Sequence, residues 1–234
     1  MQVFFLSGLG ADRRVFRSLD VSFCEPIFID WISPQQHETL EHYALRIKET
    51  FIPENATVIG LSFGGMLATE IAKHDSSVNS IIISSAKTIY ELPAYFRSGK
   101  FLRLHYWVSG EVQKRFMLKM KWLFGINSIE GTKIYKEIIN DCNPDFNSWA
   151  IDAILNWKNI DVCQNIVHIH GTHDKILPYK YVRCNYTVQK GEHLTILEQA
   201  SIISAILKNV ILNKQSSPSA LSSSANQFAH LYRG

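Results

Sequence analysis

The sequence lacks the features of a disulfide-stapled, secreted or membrane-spanning protein. It has four widely spaced cysteines and no C-x-x-C pair, which argues against a disulfide framework or a thiolate zinc site and favours reduced thiols. The N-terminus, MQVFFLSGLG, has no basic region, and its apolar run of about four residues is shorter than a signal peptide requires. No stretch approaches the roughly 18 apolar residues of a membrane span. These absences predict a soluble, cytoplasmic protein.

The chain also lacks a strong charge of one sign. Its formal net charge is +3, and no run of five or more like charges occurs, which argues against a nucleic-acid partner. The composition is 46% hydrophobic and 19% charged, as in an ordinary globular protein. No internal repeat is present, and 234 residues are enough for one sizeable α/β domain. The sequence gives no indication of the oligomeric state.

Short apolar runs alternate with helical patterns, which predicts a mainly parallel sheet of about six strands covered by helices. The runs are short and bounded by polar residues or glycine, as is typical of buried parallel strands. The predicted strands are Val3–Leu6, Pro26–Asp30, Thr57–Leu61, Ser80–Ser84, Ile166–His170 and Tyr186–Gln189. The predicted helices are Thr39–Phe51, Phe63–His74 and Leu194–Val210.

One long segment interrupts this alternation. Residues 86–157 are aromatic and helical in pattern, and glycines at 99, 110, 125 and 131 are candidate breaks between short helices. We therefore predict a core formed by residues 1–85 and 158–212, with residues 86–157 inserted as a helical cap over one end of the sheet. Residues 213–234 include a serine-rich, low-complexity stretch and are predicted to be a mobile tail.

A serine flanked by glycines follows the third predicted strand. In VIGLSFGGML, the pattern G-x-S-x-G places Ser62 between a β-branched run and a helical run. This pattern is typical of a sharp strand-to-helix turn, in which Gly60 and Gly64 lack a Cβ that would clash with the returning helix. The turn raises the serine hydroxyl and directs the N–H of Phe63 toward a developing oxyanion, beside the positive end of the helix dipole. The simpler alternative is an ordinary glycine-rich turn between a strand and a helix.

A serine hydroxyl needs a base, and the base needs an orienting partner. His193 lies just past the last predicted strand, and Asp174 lies a few residues beyond the strand before it. After the strand Ser80–Ser84 the first acid is Glu91, so Asp174 has no close competitor. We predict that Ser62 attacks, that His193 carries the proton and that Asp174 holds the imidazole tautomer.

The loop after the first predicted strand is the candidate for a second oxyanion donor. In VFFLSGLGADRRVF, Gly8 and Gly10 allow a tight turn, and the backbone N–H of Leu9 is the predicted donor. Taken alone, a plain glycine turn explains this loop equally well; the serine motif favours the oxyanion interpretation.

In these motifs, the chain resembles the α/β-hydrolase-fold serine hydrolases over most of residues 1–210. The resemblance rests on SGLG at 7–10, GLSFGG at 60–65, HGTHDKILP at 170–178 and GEH at 191–193, and on the chain order of the three candidate catalytic residues. It implies a parallel core, a variable cap and esterase, thioesterase, lipase, peptidase or lyase activity. Fold alone does not determine the substrate.

The sequence departs from the family pattern in three places. It begins at the equivalent of the family's third strand, so the usual first hairpin is expected to be missing. Ser7 replaces the usual histidine of the oxyanion loop. Asp174 and His193 are only 19 residues apart, so the helix that normally separates them must be short or absent. None of these departures removes a catalytic atom.

A histidine cluster in HIHGTHD raises the alternative of a metal site. His168 and His170 share one face of a strand, with His173 and Asp174 close behind. The spacing is wrong for H-x-H-x-D-H, and a strand that leads into a catalytic aspartate explains the run better. We therefore predict neither a metal nor a cofactor.

The predicted cap is rich in basic and aromatic residues. Between 87 and 124 it has eight lysines or arginines against two glutamates, interleaved with aromatic side chains. One interpretation is a solvated helix face over an aromatic interior. The other is an apolar pocket with a basic mouth that favours an anionic substrate, with Arg13, Arg14, Arg103 and Trp107 as substrate-binding candidates.

The sequence thus predicts a serine hydrolase that cleaves a small, possibly anionic, carboxylic ester or thioester through an acyl-serine intermediate. Two alternatives stay open. One is a lyase that uses the same three residues for proton transfer, and the other is a ligand-binding protein that has lost turnover.

Overall fold

Six apolar segments pair side by side in one parallel sheet. A computed structural model, which describes residues 1–97 and 110–216, places every predicted strand in this sheet, with the observed ends within one residue of the prediction. The strands are β1 (Gln2–Leu6), β2 (Glu25–Ile29), β3 (Thr57–Leu61), β4 (Asn79–Ile83), β5 (Ile166–Gly171) and β6 (Tyr186–Val188). All five neighbouring pairs are parallel, as the sequence predicts.

The strand order β2-β1-β3-β4-β5-β6 contains one reversal of direction. The chain first steps from β1 to β2 at one edge, then returns to β3 on the other side of β1 and continues outward to β6. The loops that leave β1 and β3 therefore diverge at the carboxyl end of the sheet. Such a reversal opens a crevice, and ligands of open α/β sheets bind there.

Helices cover both faces of the sheet. They are α1 (Leu40–Phe51), α2 (Phe63–His74), α3 (Ala94–Arg97), α4 (Gly110–Lys119), α5 (Ile129–Asp141), α6 (Pro144–Leu155), α7 (Thr195–Glu198) and α8 (Ala200–Ser216). Side chains alternate along each strand, so each face has its own apolar core. One core joins Phe4 and Leu6 of β1 to α1, α2 and α6, and the other joins Val3 and Phe5 to α5 and α8.

The predicted last helix is interrupted. The sequence predicts one helix over Leu194–Val210, but the structure has α7 and α8 with a break at Gln199, whose backbone angles are −130° and 41°. The Gln199 side chain donates to the Gln189 carbonyl beside β6. Helix α8 also continues to Ser216, so the first residues of the predicted tail, 213–216, are helical.

Two of the predicted helix breaks in residues 86–157 can be compared directly with the structure. Gly125 separates two helical segments and has a positive φ of 73°. Gly131 does not break a helix, because it lies in the first turn of α5, where its N–H donates to the N-cap Ser128. Gly110 is the first residue of α4, and Gly99 lies outside the described residues.

Candidate active site

The turn between β3 and α2 holds Ser62 in a strained conformation. Its φ of 51° and ψ of −113° lie in a region that residues with a side chain rarely adopt, and α2 begins at the very next residue. Two neighbours hold this backbone in place. The Ser62 N–H donates to the Ile83 carbonyl of β4 at 2.9 Å, and the Ser85 hydroxyl donates to the Ser62 carbonyl at 2.7 Å.

Close backbone approach explains both glycines of the motif. A Cβ on Gly60 would overlap the Gly64 backbone, which is the clash with the returning helix that the motif predicts. A Cβ on Gly64 would instead overlap the carbonyls of Leu6 and Ser7, because the start of α2 packs against the end of β1. The Gly64 N–H donates to the Ser7 carbonyl at 3.0 Å in the same contact.

The three residues predicted to form the triad meet at the carboxyl end of the sheet. The Nε2 atom of His193 lies 3.0 Å from the Ser62 hydroxyl oxygen, and its Nδ1 atom lies 2.8 Å from Oδ2 of Asp174. Ser62 follows β3, Asp174 follows β5 and His193 follows β6. Both His193 and Asp174 are buried, so water competes weakly for these hydrogen bonds.

The surroundings of Asp174 favour its ionised form. Its Oδ1 atom accepts from the backbone N–H groups of Ile176 and Leu177, both at 2.8 Å. Burial by itself would raise the pKa of Asp174, but the charge and hydrogen bond of His193, together with His170 and the Leu177 N–H, hold its pKa below the usual value. The carboxylate is therefore charged at neutral pH and accepts the Nδ1–H of His193.

Two residues predicted to supply backbone donors, Leu9 and Phe63, lie close to Ser62 and line the same cavity. Leu9 lies beside Gly8, whose α-carbon region packs against the Ser62 side chain, and Leu9 lines the cavity that contains Ser62. Phe63 is the first residue of α2. Within residues 1–97 and 110–216, neither the Leu9 N–H nor the Phe63 N–H has a protein acceptor. Both are the groups that the sequence predicts for the oxyanion hole.

A small apolar cavity of about 170 Å³ opens onto Ser62 and His193. Its walls come from both sheet faces and from the segment 86–157. Apart from Ser62 and His193, the only other polar side chain among its described lining residues is Tyr135, whose hydroxyl donates to the Met117 carbonyl at 2.7 Å. No charged side chain in the described part of the chain lines it. The cavity therefore suits an uncharged, apolar group.

The structure does not bring Arg13 or Arg14 to this cavity. Arg13 is exposed and does not line it. Arg14 forms ion pairs with Asp12 at 2.6 Å and Asp141 at 2.7 Å, so its charge is already neutralised. Arg103 and Trp107 lie outside the described residues.

The aromatic residues of the predicted cap are not all interior. Phe96 and Phe124 line the cavity, but Tyr90, Phe116 and Trp122 are exposed. Helix α4 has no buried residue at all. The lining of the cavity by α5 and α6 agrees with a cap over the carboxyl end of the sheet, while the division of the chain into core, cap and tail stays a prediction.

Sequence reasoning missed several contacts around the site. The Phe124 ring packs edge-on against the His193 imidazole, with centroids 5.8 Å apart, and the Leu194 N–H donates to the Phe124 carbonyl. On the other side, the Phe63 ring packs against Phe146 and Trp149 of α6. These contacts join distant segments, so periodicity could not reveal them. The only sequence signal for these aromatic contacts is the high aromatic content of residues 86–157.

Glu91, the competitor weighed for Asp174, has a different role. Its carboxylate accepts from the backbone N–H groups of Lys87 and Arg183 and lies 3.6 Å from the Lys87 ammonium. It thus ties the segment after β4 to the segment before β6.

One group of described side chains has the composition of a metal site. Glu41, Glu70 and His74 place three candidate ligand atoms within 4.8 Å of one another. The Lys73 ammonium lies 3.7 Å from Glu70 and 4.0 Å from Glu41, so a cation is already supplied by the chain. This group lies on α1 and α2, and none of its members lines the cavity of Ser62.

The chain has the α/β-hydrolase fold, as comparison with solved structures shows. The similar structures include an esterase from Exiguobacterium antarcticum (TM-score 0.72, 15% identity, 91% of this chain and 92% of that chain). An esterase from Thermogutta terrifontis with malate bound matches with a TM-score of 0.68 at 15% identity, over 91% of this chain and 90% of that one. A hydrolase from Pseudomonas aeruginosa matches with a TM-score of 0.68 at 11% identity, over 92% of this chain and 90% of that one.

At these sequence identities the structural similarity establishes the fold only. The reaction has to be inferred from the geometry of the site. No family model and no curated protein matches the sequence. None of the described helices combines the length and apolar character that a membrane span requires.

Proposed function

We propose that this protein is a serine hydrolase that cleaves a small, uncharged carboxylic ester or thioester through an acyl-Ser62 intermediate. The observation that carries the proposal is the pair of hydrogen bonds from His193, at 3.0 Å to the Ser62 hydroxyl and at 2.8 Å to Asp174. A nucleophile, a base and an orienting acid in this geometry support acyl transfer. The fold, which esterases share, agrees with this reaction class.

In the first half of the reaction, the Ser62 oxygen attacks the carbonyl carbon while Nε2 of His193 takes its proton. The charge that develops on the carbonyl oxygen is stabilised by the N–H groups of Leu9 and Phe63, with the N-terminus of α2 contributing a partial positive charge. Asp174 stabilises the imidazolium. His193 then gives the proton to the leaving alcohol or thiol, which departs as the carbonyl re-forms.

In the second half, water replaces the leaving group. His193 takes a proton from water, the resulting hydroxide attacks the acyl carbon, and the proton returns to the Ser62 oxygen as the carboxylic acid leaves. Removal of one oxyanion donor costs about 2.7–4 kcal/mol of transition-state stabilisation in known enzymes. We expect contributions of that order from Leu9 and Phe63.

The choice of an uncharged substrate rests on the cavity. Its volume of about 170 Å³ is smaller than the roughly 300–1,000 Å³ of pockets for drug-sized ligands. A carboxylate placed among its apolar walls would lose hydration without gaining a cation from any described lining residue. This differs from one of the two interpretations of the predicted cap, in which a basic mouth favours an anionic substrate.

A matched pair of substrates tests the reaction and the preference together. We expect p-nitrophenyl butyrate to be hydrolysed with a kcat/KM at least about ten-fold higher than that of mono-p-nitrophenyl succinate, because burial of its carboxylate is unfavourable. Ser62→Ala should lower both rates by roughly three orders of magnitude or more, with the melting temperature as the control for folding. Faster cleavage of the succinate would overturn the uncharged preference, and unchanged rates in Ser62→Ala would overturn the acyl-serine mechanism.

A further inference from the structure

Two buried histidines lie next to the site without a part in the reaction. His168 and His170 are on the same face of β5, neither is exposed, and their rings are perpendicular with centroids 5.2 Å apart. The Nδ1 atom of His170 lies 3.2 Å from Nε2 of His168. Because both ring nitrogens of His170 have protein partners, a metal ligand is a poor description of this residue.

His170 is connected to Asp174 by two routes. Its Nε2 atom lies 2.8 Å from the Leu177 carbonyl oxygen, and the N–H of the same Leu177 donates to Oδ1 of Asp174. The same Nε2 atom is 3.5 Å from Oδ2 of Asp174, which is the oxygen that His193 contacts. Nε2 of His170 is therefore close both to the Leu177 carbonyl, in the turn that holds Asp174, and to Oδ2 of Asp174, the oxygen that contacts His193.

The hydrogen bonds determine which nitrogens carry protons. A carbonyl oxygen only accepts, so Nε2 of His170 must carry a hydrogen toward Leu177. Burial lowers the pKa of His170, which keeps the ring neutral and makes its Nδ1 an acceptor for the Nε2–H of His168. Nδ1 of His168 then keeps a lone pair, and this buried atom has no partner among the described residues. The pair is held in one tautomer.

Charged groups around the pair agree with this assignment. Asp174 favours a proton on His170, while His193 opposes it, and Glu91 favours it more weakly than either. Burial and the neighbouring His170 and Lys87 lower the pKa of His168. Burial outweighs the favourable carboxylates, so neither ring is cationic at neutral pH.

We propose that His170 is a positioning residue for Asp174, which rests on the proposed function of the triad. By holding the Leu177 carbonyl it fixes the turn from Asp174 to Leu177, and by directing its N–H toward Oδ2 it sets the rotation of the carboxylate toward His193. The need follows from the short connection between β5 and β6, where the described chain has only a single-turn 3₁₀ helix over Tyr179–Tyr181. Because no longer helix of this described connection packs behind it, the Asp174 turn is held by His170 of β5.

Substitution of the ring tests this role. His170→Phe keeps the ring and removes both nitrogens, so we expect kcat to fall by roughly ten-fold or more while KM changes little, because a small misplacement of the base slows the chemical step. His170→Gln can still donate to the Leu177 carbonyl and should restore most of kcat. His168→Phe is the matched comparison, because it removes the donor to Nδ1 of His170 but leaves the contacts of His170 with Leu177 and Asp174, and it should lower kcat much less than His170→Phe does.

A spectroscopic readout separates positioning from a general loss of packing. The proton between Nδ1 of His193 and Asp174 should give a downfield NMR resonance that is weakened or shifted in His170→Phe and retained in His170→Gln and His168→Phe. If His170→Phe does not fold, His170→Asn serves instead, since its shorter amide does not reach the Leu177 carbonyl. Its kcat should then lie below that of His170→Gln.

Two outcomes would overturn the inference: a folded His170→Phe with unchanged kcat and resonance, or equal kcat in His170→Asn and His170→Gln. Failure of the proposed function is distinguishable, because the unmodified protein would then neither hydrolyse p-nitrophenyl butyrate nor react with a fluorophosphonate.

Discussion

At the scale of single residues, the serine motif depends on backbone atoms that approach more closely than any side chain allows. The sequence motif is enough to predict that Gly60 and Gly64 are needed. It does not reveal that the atoms packed against Gly64 belong to β1, because that contact arises only when the sheet forms. The same limit applies in part to Arg14, which was predicted to contact substrate: of its two ion-pair partners, Asp12 is local but Asp141 is distant in sequence.

Alanine substitutions at Gly64 and Gly8 should show whether stability depends on close backbone contact at a glycine or only on the glycine's proximity to the site. Gly64→Ala is expected to lower the free energy of unfolding by roughly 3 kcal/mol or more, because the new methyl group overlaps the Leu6 and Ser7 carbonyls. Gly8→Ala is the matched control. Its Cβ would lie 3.7 Å from the nearest atom, and its φ is not positive, so a change within about 1 kcal/mol is expected. Urea denaturation measures both, and similar losses in the two variants would contradict this account.

At the scale of elements, the strands and the first two long helices were predictable because their burial is simple. A strand covered on both faces is apolar throughout, and Thr39 and the glycine-serine turn mark the starts of α1 and α2. The break at Gln199 was not predictable, because the side chain that accompanies it bonds to Gln189 in another segment. The prediction of a helix break at Gly131 was wrong because the Ser128 cap holds Gly131 in the first turn of α5.

Strand β5 should make the stability of the protein depend on pH. Burial lowers the pKa of His168 and His170 from an ordinary value of 6.5, so below that pH the unfolded chain binds protons that the folded chain does not. The stabilisation linked to these two histidines is therefore fully present above about pH 6.5. It is lost as the pH falls toward their pKa values in the folded protein. The slope should approach roughly 1.4 kcal/mol per pH unit for His168, whose pKa burial lowers well below its ordinary value, with a further contribution from His170.

Urea unfolding between pH 7.5 and 5 checks this expectation against His168→Phe, which removes one of the two groups and should have a shallower slope. Asp174, with a lowered pKa, adds its own loss of stability only below its unfolded value of 3.8. Equal slopes in the two proteins would show that His168 takes up a proton inside the fold.

At the scale of the whole molecule, the sheet topology brings the site together. Parallel strands end at one edge, so residues that follow β3, β5 and β6 meet there. The serine motif, and the positions of Asp174 and His193 just after predicted strands, were enough to predict their meeting. The cavity was not predictable to the same degree. Its walls come from helices of both cores, and their placement depends on contacts such as Phe63 with Phe146 and Phe124 with His193.

The most direct measurement of the central claim is the location of a fluorophosphonate adduct by peptide mass spectrometry. If the Ser62 hydroxyl is activated by His193, the folded protein should carry one adduct, on Ser62. The adduct should be absent in Ser62→Ala and should form far more slowly in His193→Gln. A folded protein that carries no adduct, or one whose adduct lies elsewhere and persists in Ser62→Ala, would contradict the account.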